Sequence, residues 1–254
     1  MAISKSALSE HQASQGAAIA VPGGVGAEKE QLADDVLATA NAAATASTPV
    51  IERPSAETGR SARSEEILDG VVEMFAEHGY NGASLRNIAE HVGLSHPGML
   101  HHFPSKDALL DAVIDRMEDH AQGALDRIDE LSSDPGALLR GLTEIWHPGS
   151  HLVQLMATLD TEVVSKDHPG RYRIARLHRV HEHVLEQCFA KLEERGLLRE
   201  DVDPAFASLV VFALVLSHAA REETVRTMQG DCHDDSPIKD LDRLARTFLV
   251  RPTA

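Results

Sequence analysis

From Arg63 onward the apolar residues recur at the three-and-four spacing of a helix, with Ile67, Leu68, Val71, Val72 and Phe75 on one stripe. Gly79, inside "EHGY", is placed to end that helix in the left-handed conformation. A shorter helix is predicted from Ser84 to about His91, with Ser84 as its cap and Leu85, Ile88, Ala89 and Val92 turned inward. Gly93 breaks it. Ser95 opens a third helix, where Pro97 stands in the first turn and its missing N–H costs nothing. Phe103 before Pro104 closes it. Ser105 caps a long fourth helix carrying Leu109, Leu110, Val113, Ile114, Met117, Leu125 and Ile128. "SSDPG" at 132–136 is the clearest internal boundary. Beyond it helices are predicted near 135–146, 149–166, 169–195, 204–229 and 237–249. No period-two pattern and no internal repeat appear, so the expected fold is all-α with about nine helices.

Residues 1–60 differ from the rest. They are rich in Ala, Ser, Gly and Thr, and Leu8, Leu32, Val36 and Leu37 are too sparse for a core, which predicts a disordered extension. The hydrophobic share of 43% against 4% aromatics favours packed helices of Ala, Leu, Val and Ile over a sheet. No apolar run approaches the length needed to cross a bilayer and the N-terminus shows no signal-peptide core, so no membrane partner is expected. Cys188 and Cys232 lie far apart in no metal-like spacing, which fits reduced thiols in the cytoplasm. A net charge of −16 argues against bulk affinity for nucleic acid, so any DNA binding must rest on a local motif.

Such a motif is present. Two short helices joined by a tight glycine turn form a helix-turn-helix, whose second helix can enter the major groove. The run "SHPGMLHHF" at 95–103 sends His96, Pro97 and Gly98 outward and keeps Met99 and Phe103 for packing. Residues 63–113, with "FAEHGY", "SLRNIAEHVGLS" and "HHFPSKDALL", resemble the DNA-binding domain of the tetracycline-repressor (TetR) family along their whole length. The downstream chain resembles that family in helix count and in phrases such as "ERGLLREDVDP".

The resemblance implies a helix-turn-helix domain over 61–110 and a C-terminal helical ligand-binding and dimerisation domain over 111–254. It implies a homodimer on a pseudo-palindromic double-stranded DNA operator, released by a small-molecule effector, most simply a repressor. Arg86 matches a position that reaches a base edge or phosphate, and an arginine can pair bidentately with guanine. His96, Pro97 and Gly98 match the base-facing start of the recognition helix. Ser84, Ser95, His101, His102 and Lys106 match capping or phosphate-contacting positions, and Arg63 flanks them. Two positions depart from the family pattern: Leu100 stands where a tyrosine is usual, and His96 where a lysine or arginine is frequent. Residues 60–120 carry five basic against eleven acidic side chains, a net of −6, which predicts few phosphate contacts and a shallow salt dependence.

For the C-terminal region, Phe206, Leu209, Val210, Phe212, Ala213, Leu214 and Leu216 wrap most of one helix. Either it is a core helix or, as the resemblance implies, 204–228 pairs with 237–249 across a two-fold axis. An effector pocket between the helices at 135–195 and the start of that helix would draw on Trp146, His147, His151, Met156, Asp160, Glu162, Tyr172, Arg176, His178 and Phe212. Histidine pairs at 147/151 and 178/181 have helical metal-ligand spacing, but no third ligand is identifiable, so neither metal nor cofactor is expected. No nucleophile elbow, phosphate loop or HExxH motif is present, leaving an enzyme without a residue constellation. A helical binding protein without DNA activity is the other class these residues allow.

Overall fold

Ser84, Ser95 and Ser105 each stand in extended backbone and accept a hydrogen bond on the side-chain oxygen from the amide three residues on. The donors are Asn87 at 3.1 Å, Gly98 at 3.1 Å and Ala108 at 3.0 Å. Each cap satisfies one of the orphan amides at a helix start and contributes about 1 kcal/mol. They open α2 (Leu85–His91), α3 (His96–His102) and α4 (Lys106–Asp126). Ahead of them α1 spans Thr58–Gly82, broken at Gly79 (φ 71, ψ 168). Then come α5 (Ile128–Leu131), α6 (Pro135–Glu144), α7 (His151–Glu162), α8 (Arg171–Glu194), α9 (Pro204–Arg221) and α10 (Ser236–Phe248). This computed structural model describes residues 58–222, 225, 228 and 236–250. The extension expected over 1–60 and Cys232 fall outside the described residues, apart from the backbone of the first turn of α1.

The described chain is all-α; its only strand-like pairing is an isolated antiparallel bridge from Leu198 to Leu249. Among the described residues ten helices replace the nine expected, because the fourth stripe is interrupted. Arg127 (φ −99, ψ 7) leaves the helical region, so Ile128 begins the one-turn α5 instead of continuing α4. The Arg127 guanidinium pairs there with Glu130 at 2.9 Å and Glu144 at 2.8 Å.

The described residues form one compact unit. α1 packs on α7 and α4, α4 on α8, and α9 on α7, α8 and α10. One core runs through them, from Ile67, Val71 and Phe75 on α1 through Ile114 and Met117 on α4 to Leu185, Phe189 and Phe212. α9 is, among the described residues, the one helix long and apolar enough to cross a membrane, which corrects the expectation that no run reaches that length. Its apolar character has two uses here. Ala207, Val211, Phe212 and Val215 are buried in the bundle, whereas Phe206 and Leu209 are more than half exposed. The helix is therefore not wrapped by its own chain.

Candidate functional site

The α2–α3 pair is built inward from Ile88, Ala89 and Met99, all essentially inaccessible. Gly93 (φ 70) makes the turn, and the Leu94 amide donates to the Ala89 carbonyl at 2.8 Å. Outward stand Ser84, Arg86, Ser95, His96, Pro97 and His101, all exposed, with Gly98 and His102 half-buried. The start of α3 thus offers a small, sterically open edge suited to a groove. Not every cation here is free. Arg86 Nε pairs with Glu90 at 3.1 Å and Arg63 with Glu66 at 2.7 Å, both in solvent. Lys106 lies over the Tyr80 ring at 4.2 Å, and partial burial lowers its pKa. Leu100, in place of a phenol, is 39% exposed.

Three contacts tie α1 and α2 to α7. Glu162, the last residue of α7, accepts from the backbone amides of Tyr80 at 2.9 Å and Asn81 at 3.2 Å, and from the Asn81 side chain at 3.4 Å. Thr158, one turn earlier, donates to the Ala76 carbonyl at 3.0 Å. Glu73 on α1 lies between His91 of α2 at 3.0 Å and His151 at the start of α7 at 3.4 Å. α4 is held separately: Arg173 of α8 pairs with Asp111, Asp115 and Glu118, and Arg176 with Glu118. Those bonds hold the Glu118 carboxyl below the usual carboxylate range.

Of the residues expected around an effector, the fold brings some together. His178 Nδ1 lies 3.0 Å from Asp160 of α7 and its Nε2 lies 3.2 Å from the buried Glu182, which also pairs with Arg179. The bond to Asp160 raises the His178 pKa against the opposing effect of burial. Trp146 is fully buried and donates its indole N–H to His181 Nδ1 at 3.1 Å. Phe212 stacks on His181 and meets His178 edge-on, with centroids 5.6 Å and 5.0 Å apart. Met156 is buried on α7.

Others lie apart from this cluster. Tyr172 is 84% exposed, Arg176 is spent on Glu118, His151 faces Glu73, and Glu162 faces the head. His147 lines a separate cavity of about 670 Å³ between α6 and α10, together with Leu139, Leu142, Ile238 and Arg243.

Two further histidines, His181 and His120, stand in this cluster, their ring centroids 5.9 Å apart. Indole N–H can only donate, so His181 Nδ1 is an acceptor and its proton sits on Nε2, which meets no hydrogen-bond partner among the described residues. Burial, reinforced by the nearby His120 and His178, drives the His181 pKa down to about 3. His120 bonds the Ile145 carbonyl at 3.1 Å and is likewise lowered by burial. The phase of α8 was the available signal of the burial of His181, since Ile174, Leu177, His181, Val184 and Cys188 form one inward stripe. No group of three or more His, Cys, Asp or Glu side chains among the described residues is arranged to hold a metal ion.

Comparison with known proteins now bears on this geometry. Residues 67–113 match the family described as bacterial regulatory proteins, tetR family. The chain is 31% identical over 145 residues to the HTH-type transcriptional repressor AcnR of Corynebacterium diphtheriae, spanning 57% of this chain and 73% of that one. It is 43% identical over 53 residues to the HTH-type transcriptional repressor Rv1474c of Mycobacterium tuberculosis, spanning 21% and 28%. A TetR-family transcriptional regulator of Agrobacterium tumefaciens superposes with a TM-score of 0.59 at 21% identity, covering 75% of this chain and 99% of that one, and shares the fold.

Proposed function

Because the chain belongs to the TetR family of bacterial regulatory proteins, which are regulators and not enzymes, we propose that it is a ligand-responsive repressor. In this reading a homodimer binds a pseudo-palindromic operator through α2 and α3 and is released by a small-molecule effector. Its work is then in the cytoplasm, where the DNA is. The carrying observation is the open N-terminal edge of α3, His96–Pro97–Gly98, presented by a helix pair packed on the buried Ile88, Ala89 and Met99. Residues 61–110 are the reading domain and 111–254 the sensing and dimerising domain. Arg63, Ser84, Arg86, Ser95, His101, His102 and Lys106 surround α3 as phosphate or base contacts, with Lys106 the most restrained of them.

Selection of bound fragments from the source organism's genomic DNA tests this. The wild type is expected to enrich a short palindrome. The Arg86→Ala/His96→Ala double variant should lose at least tenfold in affinity for it, since a base contact is worth about 1–3 kcal/mol. Absence of any enriched sequence at low salt, without added ligand, would count against the regulator reading.

The outward face of α9 supports the dimer. Phe206 at 56% and Leu209 at 52% exposure are large apolar side chains for which a second copy of α9 is the natural cover. Burying the half of each that is still exposed stabilises association by roughly 1 kcal/mol apiece. A Phe206→Glu/Leu209→Glu variant should elute and scatter light as a monomer while the wild type is a dimer; a dimeric variant would place the interface elsewhere.

The effector region is the cluster of Trp146, Asp160, His178, His181 and Phe212. An effector acts by binding the DNA-released arrangement more tightly than the DNA-bound one. The helices it can displace are α4, gripped through Arg173, and α7, which carries Asp160.

A further inference from the structure

We propose that Glu162 is a positioning residue for DNA reading: it holds the α1–α2 turn to α7, so that the sensing region sets the angle of the reading head through α7 as well as through α4. The proposal rests on the regulator reading above and adds to it the residue through which control passes.

The turn is shaped for this carboxylate. The Tyr80 and Asn81 amides converge on its two oxygens, bonds to a charged acceptor that are roughly twice as strong as neutral ones. Gly79 makes the approach possible, because a Cβ there would stand 2.5 Å from Glu162 Oε1. The Tyr80 hydroxyl donates to Asp107 at the start of α4, and its ring carries Lys106, so the turn is held by α4 on one side and α7 on the other. Behind the carboxylate His168 is buried, with Nε2 at 3.7 Å from it. The same helix carries Asp160, which bonds His178 of the effector cluster two residues before Glu162. A displacement of α7 at the cluster is therefore a displacement at the turn that begins α2.

A simple staple would affect stability alone, whereas a positioning residue sets the distance and rotation between the two heads of a dimer. One base pair inserted between half-sites changes their separation by roughly 3.4 Å and their rotation by roughly 35°. The full-length wild type is expected to lose about tenfold or more in affinity for an operator so lengthened. Glu162→Gln keeps the side-chain size but sets an amide N–H₂ against one of the two backbone donors. It is expected to discriminate between the two spacings by about threefold or less, with Tyr80 and Asn81 amide exchange accelerated about tenfold.

Thr158→Val removes the neighbouring bond and leaves the carboxylate in place. It controls for general loosening and should retain the wild-type spacing preference. Unchanged spacing discrimination and unchanged exchange in Glu162→Gln would overturn the proposal. If Glu162→Gln fails to fold, exchange in the wild type decides: Tyr80 and Asn81 amides as unprotected as free chain would overturn it, and protection would support it. Failure of the wild type to recover any operator is a different result, which removes the regulator reading instead.

Discussion

Replacing Gly79 with alanine is expected to lower the thermal midpoint by roughly 6–12 °C, through a loss of about 3 kcal/mol. Two effects add. The backbone at φ 71, ψ 168 lies in a region that is essentially glycine-only, and the new methyl would press on Glu162 Oε1 at 2.5 Å. Glu162 has little room to retreat, since its oxygens already accept from Tyr80 and Asn81. Gly93→Ala separates the two effects. It shares the positive φ of 70, but nothing lies within 4 Å of the added carbon, so only the backbone contribution of about 1 kcal/mol is expected. Calorimetry on both variants checks this. Equal losses in the two would mean that the carboxylate does not approach the turn as described.

The second large effect is a loss of stability in acid that originates at His181. Its folded pKa of about 3 lies well below the ordinary histidine value of roughly 6.5, so the unfolded chain takes up a proton that the folded chain refuses. Stability from this group is complete above about pH 6.5 and falls as pH drops towards 3, by about 1.4 kcal/mol per unit, or about 2 kcal/mol at pH 5. His120 and His168, also lowered by burial, act in the same direction. His178, raised by Asp160, acts oppositely: its contribution is present in acid and fades as pH rises through its folded pKa. His181→Asn places an amide oxygen near the Nδ1 position, which keeps an acceptor for Trp146 and removes the titration. Urea midpoints from pH 7 to pH 5 should fall more steeply in the wild type than in this variant. Parallel slopes would locate the acid sensitivity in another group.

The parts of this molecule governed by neighbours in sequence were readable from it. Ser84, Ser95 and Ser105 cap where their positions predict, because a cap needs only the next three residues. Gly79 and Gly93 take positive φ where the apolar stripes stop. The reading head was legible for the same reason, being short and locally specified. The sensing region was less so. Glu162 meets partners 82 residues away, and no local pattern separates it from a pocket acid. Tyr172 and Arg176 were drawn into the pocket by their chemistry, although they fall off the inward stripe on which His181 lies. His120 becomes a buried histidine only when α4 meets the segment around Ile145.

Trp146, the one tryptophan of the chain, ends up as a built-in optical probe of the core around α7 and α8. Its indole is sealed from water and bonded to His181, which it meets edge-on and which in turn stacks on Phe212. Its fluorescence therefore arises from a dry, aromatic environment and is screened from dissolved quenchers. DNA approaching α3 has no tryptophan to touch, so light emitted by this ring carries no direct signal of operator contact. A change in its colour or lifetime reports rearrangement around His181, which makes the unlabelled protein its own assay for whether a compound disturbs the cluster.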